Sequence, residues 1–575
     1  MAVDVARLEA EMVARVDGEV RFDAMTRGAY STDGSNYRQT PIGVVIPHTI
    51  DAGAEAIAVC RDFDVPVFSR GGGTSLGGQC TNVAVVIDWS KYCNQLLSVD
   101  ASLRTCVVEP GIVLDELNDQ LRDFELEFGP KPATHDHCTI GGMIGNNSCG
   151  STAQRTGKVS DNIVRLEVLL YDGTRMWVGA TDDEEYARIV NEGGRRAEVY
   201  WALRTLRDEY GEQVRATYPE IPRRVSGYNL DALLPEQGFD LARLLVGSES
   251  TLVTVLRAEL RLVPTLKAKT LVMLGYDDIA AAADAVPAIV SCDPVALEGL
   301  DDVLINLERR EHMHTRAVDL LPKGNAWLLV QFGGATTDEA DDAADKMLAT
   351  VGRSRHEDTV VFYDDPKHEE ELWAVREAGL GATAHVDGVD YWPGWEDSAV
   401  GPDDLGDYLR QLLALFARYD LEGTSVYGHF GQGCVHCSIP FDLVTAKGVA
   451  NFRSFVEDAA HLVHRFGGSL SGEHGDGQAR GELLRVMFGD EIVGAFGRLK
   501  AIFDPYDRMN PGKVVDPVRA FRTTENLRLG TSYAPWTPVT FFGFPDDAAS
   551  FEQAANRCVG VGTCRRSDGG VMCPS

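Results

Sequence analysis

No stretch of about 18 apolar residues occurs anywhere in the chain, so no membrane-spanning helix is expected. The opening Met-Ala-Val-Asp-Val-Ala-Arg-Leu-Glu-Ala lacks the apolar core of a secretory signal. Positive charge is scarce: 54 Lys and Arg face 87 Asp and Glu, a formal net charge of −33. That sign argues against nucleic acid as a partner and against adhesion to anionic lipid. Nine of the twelve cysteines show no pairing rhythm, which reads as a reduced, cytoplasmic protein rather than a disulfide scaffold. Internal repeats and low-complexity segments are also missing.

What is present is ordinary apolar content over 575 residues, enough for several domains. An amphipathic helix is expected over Asp4 to Val16. From Gly43 the pattern runs strand, helix, strand, with Thr49 placed to cap the first helix. Strands are expected at 65–70, 83–88, 105–109, 163–171 and 253–263, with a helix over 113–121. Near Pro264 longer helices appear, at 338–351, 369–377 and 402–419. The domains are therefore set at 1–37 (N-terminal helical segment), 38–266, 267–515, 516–548 (linker) and 549–575.

Arg70-Gly-Gly-Gly-Thr-Ser-Leu-Gly-Gly78 can bring backbone N–H groups close to a phosphate. A Rossmann fingerprint requires a helix directly after the glycines, and here a strand follows. A Walker loop requires Gly-Lys-Ser/Thr, which is missing. A second segment, Thr139-Ile-Gly-Gly-Met-Ile-Gly-Asn-Asn-Ser-Cys-Gly150, combines small residues with amide and hydroxyl groups suited to a flat ring with a polar edge.

These segments, with Pro132 and Gly247-Ser-Glu-Ser-Thr-Leu252, resemble the FAD domain of the vanillyl-alcohol oxidase and p-cresol methylhydroxylase superfamily, in order from about residue 38 to 266. The chain is similar to its D-lactate dehydrogenase, glycolate oxidase and D-2-hydroxyglutarate dehydrogenase branch. The resemblance implies an α+β fold: a two-subdomain FAD-binding domain over 38–266, then an α+β substrate (cap) domain over 267–515 that returns to the flavin. It implies FAD contacts from Arg70, Gly71, Gly72, Gly73, Thr74, Ser75, Gly77, Gly78, Pro132, Thr139, Gly141, Gly142, Asn146, Asn147, Gly247, Thr251 and Asn510. No histidine lies between Arg70 and Asn82, so the FAD expected from this loop is non-covalent.

Tyr427-Gly-His-Phe-Gly-Gln-Gly-Cys-Val-His436 carries two histidines seven apart, an odd offset that a regular strand would send to opposite faces. Gly431 and Gly433 permit a bend that reunites them. With Ser471-Gly-Glu-His-Gly-Asp-Gly477 they make a donor set suited to zinc or a similar divalent metal. Cys434 and Cys437 are competing ligands, and structural histidines are the plainer reading. The resemblance implies His429, His436 and Glu473 as metal ligands and His474 as the base. Relatives often carry Asp-Gly-Asn where this chain has Gln432-Gly-Cys434.

Arg376, in Leu372-Trp-Ala-Val-Arg-Glu377, reads on sequence as a surface arginine paired with Glu370 or Glu377; the resemblance implies that it holds the substrate carboxylate. Mitochondrial-type relatives place a lysine near Tyr391-Trp-Pro-Gly-Trp-Glu-Asp397 for a distal carboxylate. This chain offers Glu396 and Asp397 instead.

Cys558, Cys564 and Cys573 follow a C-x5-C-x8-C-P spacing, a loose match to ferredoxin runs. The resemblance to long bacterial relatives implies the start of a [4Fe–4S] module, cut inside that module at Ser575. The expected activity is oxidation of a D-2-hydroxy acid (D-2-hydroxyglutarate or D-lactate) by hydride transfer to FAD. Electrons would then pass through iron–sulfur centres to a quinone or other carrier, with contact at the membrane only through that acceptor. An oxidase using oxygen, an NADPH-dependent reductase of an enolpyruvyl sugar nucleotide and a non-catalytic flavin carrier are the rivals. A homo-oligomer is left open.

Overall fold

The computed structural model describes all residues except 1–2, 311–313, 364–365, 383, 387–388, 516–520, 548, 561, 563 and 565–575. Three principal sheets organise the chain. The first has four strands in the order Gly18–Arg21, Gly43–Pro47, Val85–Asp88, Val67–Arg70. Gly43–Pro47 and Val85–Asp88 are buried throughout, as expected of strands covered on both faces. Helix Ile50–Asp62 begins at Thr49, whose hydroxyl accepts the Ala52 N–H at 3.1 Å. Val67–Arg70 and Val85–Asp88 pair in parallel, yet only the glycine loop joins them. No crossover helix follows the glycines, and that separates this unit from a Rossmann βαβ.

The second sheet is antiparallel, ordered Leu96–Asp100, Thr105–Val108, Thr254–Arg261, Ile163–Leu169, Arg175–Gly179. Thr254–Arg261 alternates buried and half-buried residues, the period-two signature of one face on a core. The third sheet has seven strands: Val360–Tyr363, Ala268–Tyr276, Ala326–Gly334, Ala296–Asp301, Ser425–Gly428, Cys434–Ser438, Ser398–Ala399. Helices Thr337–Thr350, Pro366–Ala382 and Leu405–Arg418 belong to this half of the chain.

Within the second small-residue segment lies the helix Ile140–Asn146. Thr139 caps it, and Ile140, Met143 and Ile144 bury one stripe although three of its seven residues are glycine. Tertiary burial outweighs the poor helix propensity of glycine here.

Candidate active site

Between the first two sheets lies a cleft with about 650 Å³ of open space. The expected Arg70, Gly71, Ser75, Thr139, Gly141, Gly142 and Asn146 line it. Helix Ile140–Asn146 turns bare backbone toward it. A Cβ on Gly145 would meet nothing within 4 Å, and one on Gly142 only the Thr139 hydroxyl at 3.4 Å. By contrast, a Cβ on Gly71 would strike the same hydroxyl at 2.1 Å, so loop and helix must be this close. A flat group can therefore lie against backbone on this wall, which fits a flavin cofactor.

The other expected cofactor residues stand outside that lining and brace it. Gly72 packs on the His137 carbonyl, Gly73 (φ +73°) on the Arg70 guanidinium, and Gly78 (φ +82°) on the Tyr37 ring. Thr74 offers its carbonyl toward Gly34, and the Gly77 carbonyl accepts the N–H groups of Gln478 and Ala479. Pro132 sits beside Gly150. Asn147 adopts the left-handed region and its Oδ1 accepts from Ser160 N–H. Gly247 N–H donates to the Ile144 carbonyl, and Thr251 shares a hydrogen bond with Tyr228. Asn510 donates to the carbonyls of Gln79 and Glu249. Arg70 donates to the Thr32 and Cys80 carbonyls at 2.8 Å each, so its charge ties the loop together. The sequence reading missed Gln79, Ser248, Glu249 and Ser250, which line the cleft. Glu249 and Ser250 carry positive φ angles without being glycine, a strain that only coordinates reveal.

The histidines meet through a hairpin. Strand Ser425–Gly428 turns through Phe430–Gln432, with Gly433 left-handed (φ +71°), into antiparallel Cys434–Ser438. A Cβ on Gly433 would lie 1.9 Å from the Val400 carbonyl oxygen, so only glycine fits. The rings of His429 and His436 end up 5.1 Å apart. His429 Nδ1 faces Glu298 Oε1 at 2.7 Å, and His436 Nδ1 faces the Glu396 carbonyl at 2.7 Å. Each partner fixes its ring so that Nε2 points at one atom, Glu473 Oε1, at 2.9 and 3.0 Å. Two imidazoles oriented through Nδ1, each presenting Nε2 about 3 Å from the same carboxylate oxygen, form a donor set of the kind a divalent cation takes. His429, His436 and Glu473 thus fit a metal.

Asp397, His436, Glu473 and His474 also place ligand atoms within 4.8 Å of one another. Asp397, however, accepts from the N–H groups of Glu473 and His474 and from the Ser471 hydroxyl, so it anchors the loop. Burial pushes the Cys434 and Cys437 thiols well above their usual range.

His474 stacks on His436 with ring centroids 5.0 Å apart, and its Nδ1 lies 3.3 Å from Glu396 Oε1. Burial opposes its charge, but Asp397, the Glu396 contact and Glu473 outweigh that and raise its pKa to about 9. Glu396 itself pairs with fully buried Arg480 at 3.1 Å. The His474 carbonyl accepts from Gln79 Nε2 at 2.6 Å, and Glu249 accepts the N–H groups of Asp476 and Gly477. Gln79 and Glu249 line the cleft, so the loop bearing Glu473 and His474 is stitched directly to the wall of that cleft.

Arg376 is buried rather than exposed. Its Nε donates to Glu298 Oε2 at 2.7 Å, and its guanidinium stands 5.0 Å from the Tyr427 ring centre. Glu298 therefore grips both Arg376 and His429. Burial alone would favour its protonated form, but His429 and then Arg376 hold its pKa near about 2. Glu298 was not legible in advance, because a lone glutamate in an apolar strand has no local signature. Cys558 and Cys564 are exposed, and Cys573 lies outside the described residues.

The fold is that of a two-part FAD-binding domain of the p-cresol methylhydroxylase type followed by an α+β domain. Residues 41–179 match the family model described as FAD binding domain, and residues 265–514 that of FAD linked oxidases, C-terminal domain. The chain thus carries an FAD binding domain followed by the C-terminal domain of FAD linked oxidases. It is 30% identical to a D-2-hydroxyglutarate dehydrogenase of Pseudomonas putida, over 99% of this chain and 57% of that protein. A glycolate oxidase subunit GlcD of Bacillus subtilis is 27% identical, over 88% of this chain and 96% of that one. The chain spans about half the length of the D-2-hydroxyglutarate dehydrogenases it matches. Among solved structures, 4-ethylphenol oxidase from Gulosibacter chungangensis aligns with a TM-score of 0.62 at 15% identity, over 91% of this chain and 98% of that one. A p-cresol methylhydroxylase aligns with the same TM-score at 12% identity, over 90% and 98%.

Proposed function

We propose that the chain oxidises a D-2-hydroxy acid, of the D-lactate or D-2-hydroxyglutarate kind, to the 2-oxo acid. The observation that carries this reading is the junction of two half-sites. The cluster of His429, His436, Glu473, His474 and Arg376 is joined through Gln79 and Glu249 to the wall of the cleft. When bound, FAD supplies a two-electron acceptor, and a divalent metal held by His429, His436 and Glu473 supplies charge that acidifies a hydroxyl. Arg376 offers a planar cation to the substrate carboxylate, and Glu298 keeps that fork oriented. His474 takes the hydroxyl proton. Its raised pKa reflects three surrounding carboxylates, and neutralising Glu473 with a bound cation removes part of that pull. Glu396 then fixes which ring nitrogen carries the proton.

For the onward path, the thiols of Cys558, Cys564 and Cys573 are candidate iron–sulfur ligands, with a quinone or other carrier as acceptor. Iron and sulfide assays on anaerobically purified protein test that part alone, and absence of both defeats it.

The reaction itself is tested by anaerobic mixing with the D- and L-forms of lactate and 2-hydroxyglutarate. One D-acid bleaches the flavin absorbance, its L-form does not, and colour returns slowly on admitting oxygen. Rapid recovery would indicate an oxidase. No bleaching by any D-acid would sink the proposal.

A further inference from the structure

Glu473 presents its two oxygens to two different worlds. Oε1 faces His429, His436 and His474. Oε2 is turned away and accepts from the Gly150 N–H at 2.7 Å and from Arg223 at 2.8 Å. Arg223 has no solvent-exposed surface, and each of its nitrogens has an acceptor. Nη1 holds Glu473, Nε donates to Gln432 Oε1 at 2.8 Å, and Nη2 donates to the Gly150 carbonyl. Gln432 in turn donates to the Ala153 carbonyl at 3.1 Å. Gly150 and Ala153 follow the helix that walls the cleft, and Gln432 lies between the two histidines of the hairpin. One guanidinium therefore joins three parts of the site: the flavin-side segment, the histidine hairpin and the glutamate loop.

We infer that Arg223 is a positioning residue for the metal site. It occupies the second oxygen of Glu473, so the carboxylate can offer a cation only one atom, at the point where both imidazoles converge. Without it, the carboxylate is free to rotate and bind through both oxygens or to swing toward His474. A lysine keeps the charge but cannot reach three acceptors in one plane. The departure at Gln432-Gly-Cys434 finds its use here, because Gln432 supplies the acceptor that orients the arginine. This inference rests on the proposed metal reading, and the test separates the two.

The test uses the full chain with FAD bound, stripped of metal and titrated with Zn²⁺ against a chromophoric chelator. The unaltered protein, Arg223→Lys, Gln432→Ala, Glu473→Gln and the Arg223→Lys/Glu473→Gln double variant are compared. Loss of a group that orients a metal ligand typically weakens metal binding about 10- to 100-fold. Arg223→Lys is expected to fall in that range and Gln432→Ala less far, with flavin content unchanged. The double variant is expected to bind no more weakly than Glu473→Gln alone, because Arg223 acts through Glu473; a merely structural role would make the losses add. Co²⁺ in place of Zn²⁺ should give an altered visible spectrum in Arg223→Lys at saturation. Gln432→Ala removes only one brace, so it carries the test if Arg223→Lys does not fold. Affinity equal to the unaltered protein in Arg223→Lys and Gln432→Ala while Glu473→Gln loses metal, or additive losses in the double variant, overturns the inference while the metal reading stands. Failure of the unaltered protein to take up metal overturns both.

Discussion

Arg376 shows how a single residue can read one way on sequence and another in the fold. Its charge is buried against Glu298, a pair whose desolvation cost only good geometry offsets. A charge-assisted hydrogen bond is worth about 1.5–3 kcal/mol, so Arg376→Ala should raise KM for the hydroxy acid roughly 10- to 100-fold with a smaller change in kcat. Steady-state kinetics on the flavin-loaded protein check this, and an unchanged KM removes Arg376 from substrate binding. His474→Ala should do the opposite, lowering kcat by about 100-fold or more while flavin stays bound. An unchanged kcat would show that another group takes the proton.

Among the elements, the short helix Ile140–Asn146 lines the cleft proposed to hold the flavin. Its buried stripe faces the core, and Gly142 and Gly145 face nearly open space. Gly145→Leu places a side chain where nothing lies within 4 Å, at a helical position where glycine is a poor former by about 1 kcal/mol. The variant should fold with a melting temperature at or above that of the unaltered apoprotein, yet purify without visible flavin absorbance. Retention of FAD at full stoichiometry would show that this wall is not the flavin wall. The hairpin at 425–438 is the second deciding element, since its left-handed Gly433 returns the chain tightly enough to bring both imidazoles to one oxygen.

Over the whole molecule, a net charge of −33 sets a repulsive background against which every surface ion pair acts. Raising ionic strength from about 0.01 M to about 0.15 M shortens the screening length from roughly 30 Å to roughly 8 Å. The melting temperature should rise over that interval. A fall would mean that local pairs such as Arg215–Glu236 and Arg508–Asp64 outweigh the global repulsion. Among the described residues no helix is long and apolar enough to cross a membrane.

Sequence alone settled the matters that depend on short-range chemistry. The strand after Arg70–Gly78 ruled out a Rossmann loop and Thr49 capped its helix, while the residue types around His429, His436 and Glu473 allowed a divalent cation but left structural histidines the plainer reading. It also reached the segments around Thr139 and Arg376, though it read the first only as a small-residue segment and the second as a surface arginine. Only the tertiary structure could supply the rest, because those residues act across long separations. Glu298 reaches His429, Arg223 reaches Glu473, and Gln79 reaches His474, over 131, 250 and 395 positions respectively. None of these partners carries a local pattern, since a buried charge is specified by what the fold brings opposite it.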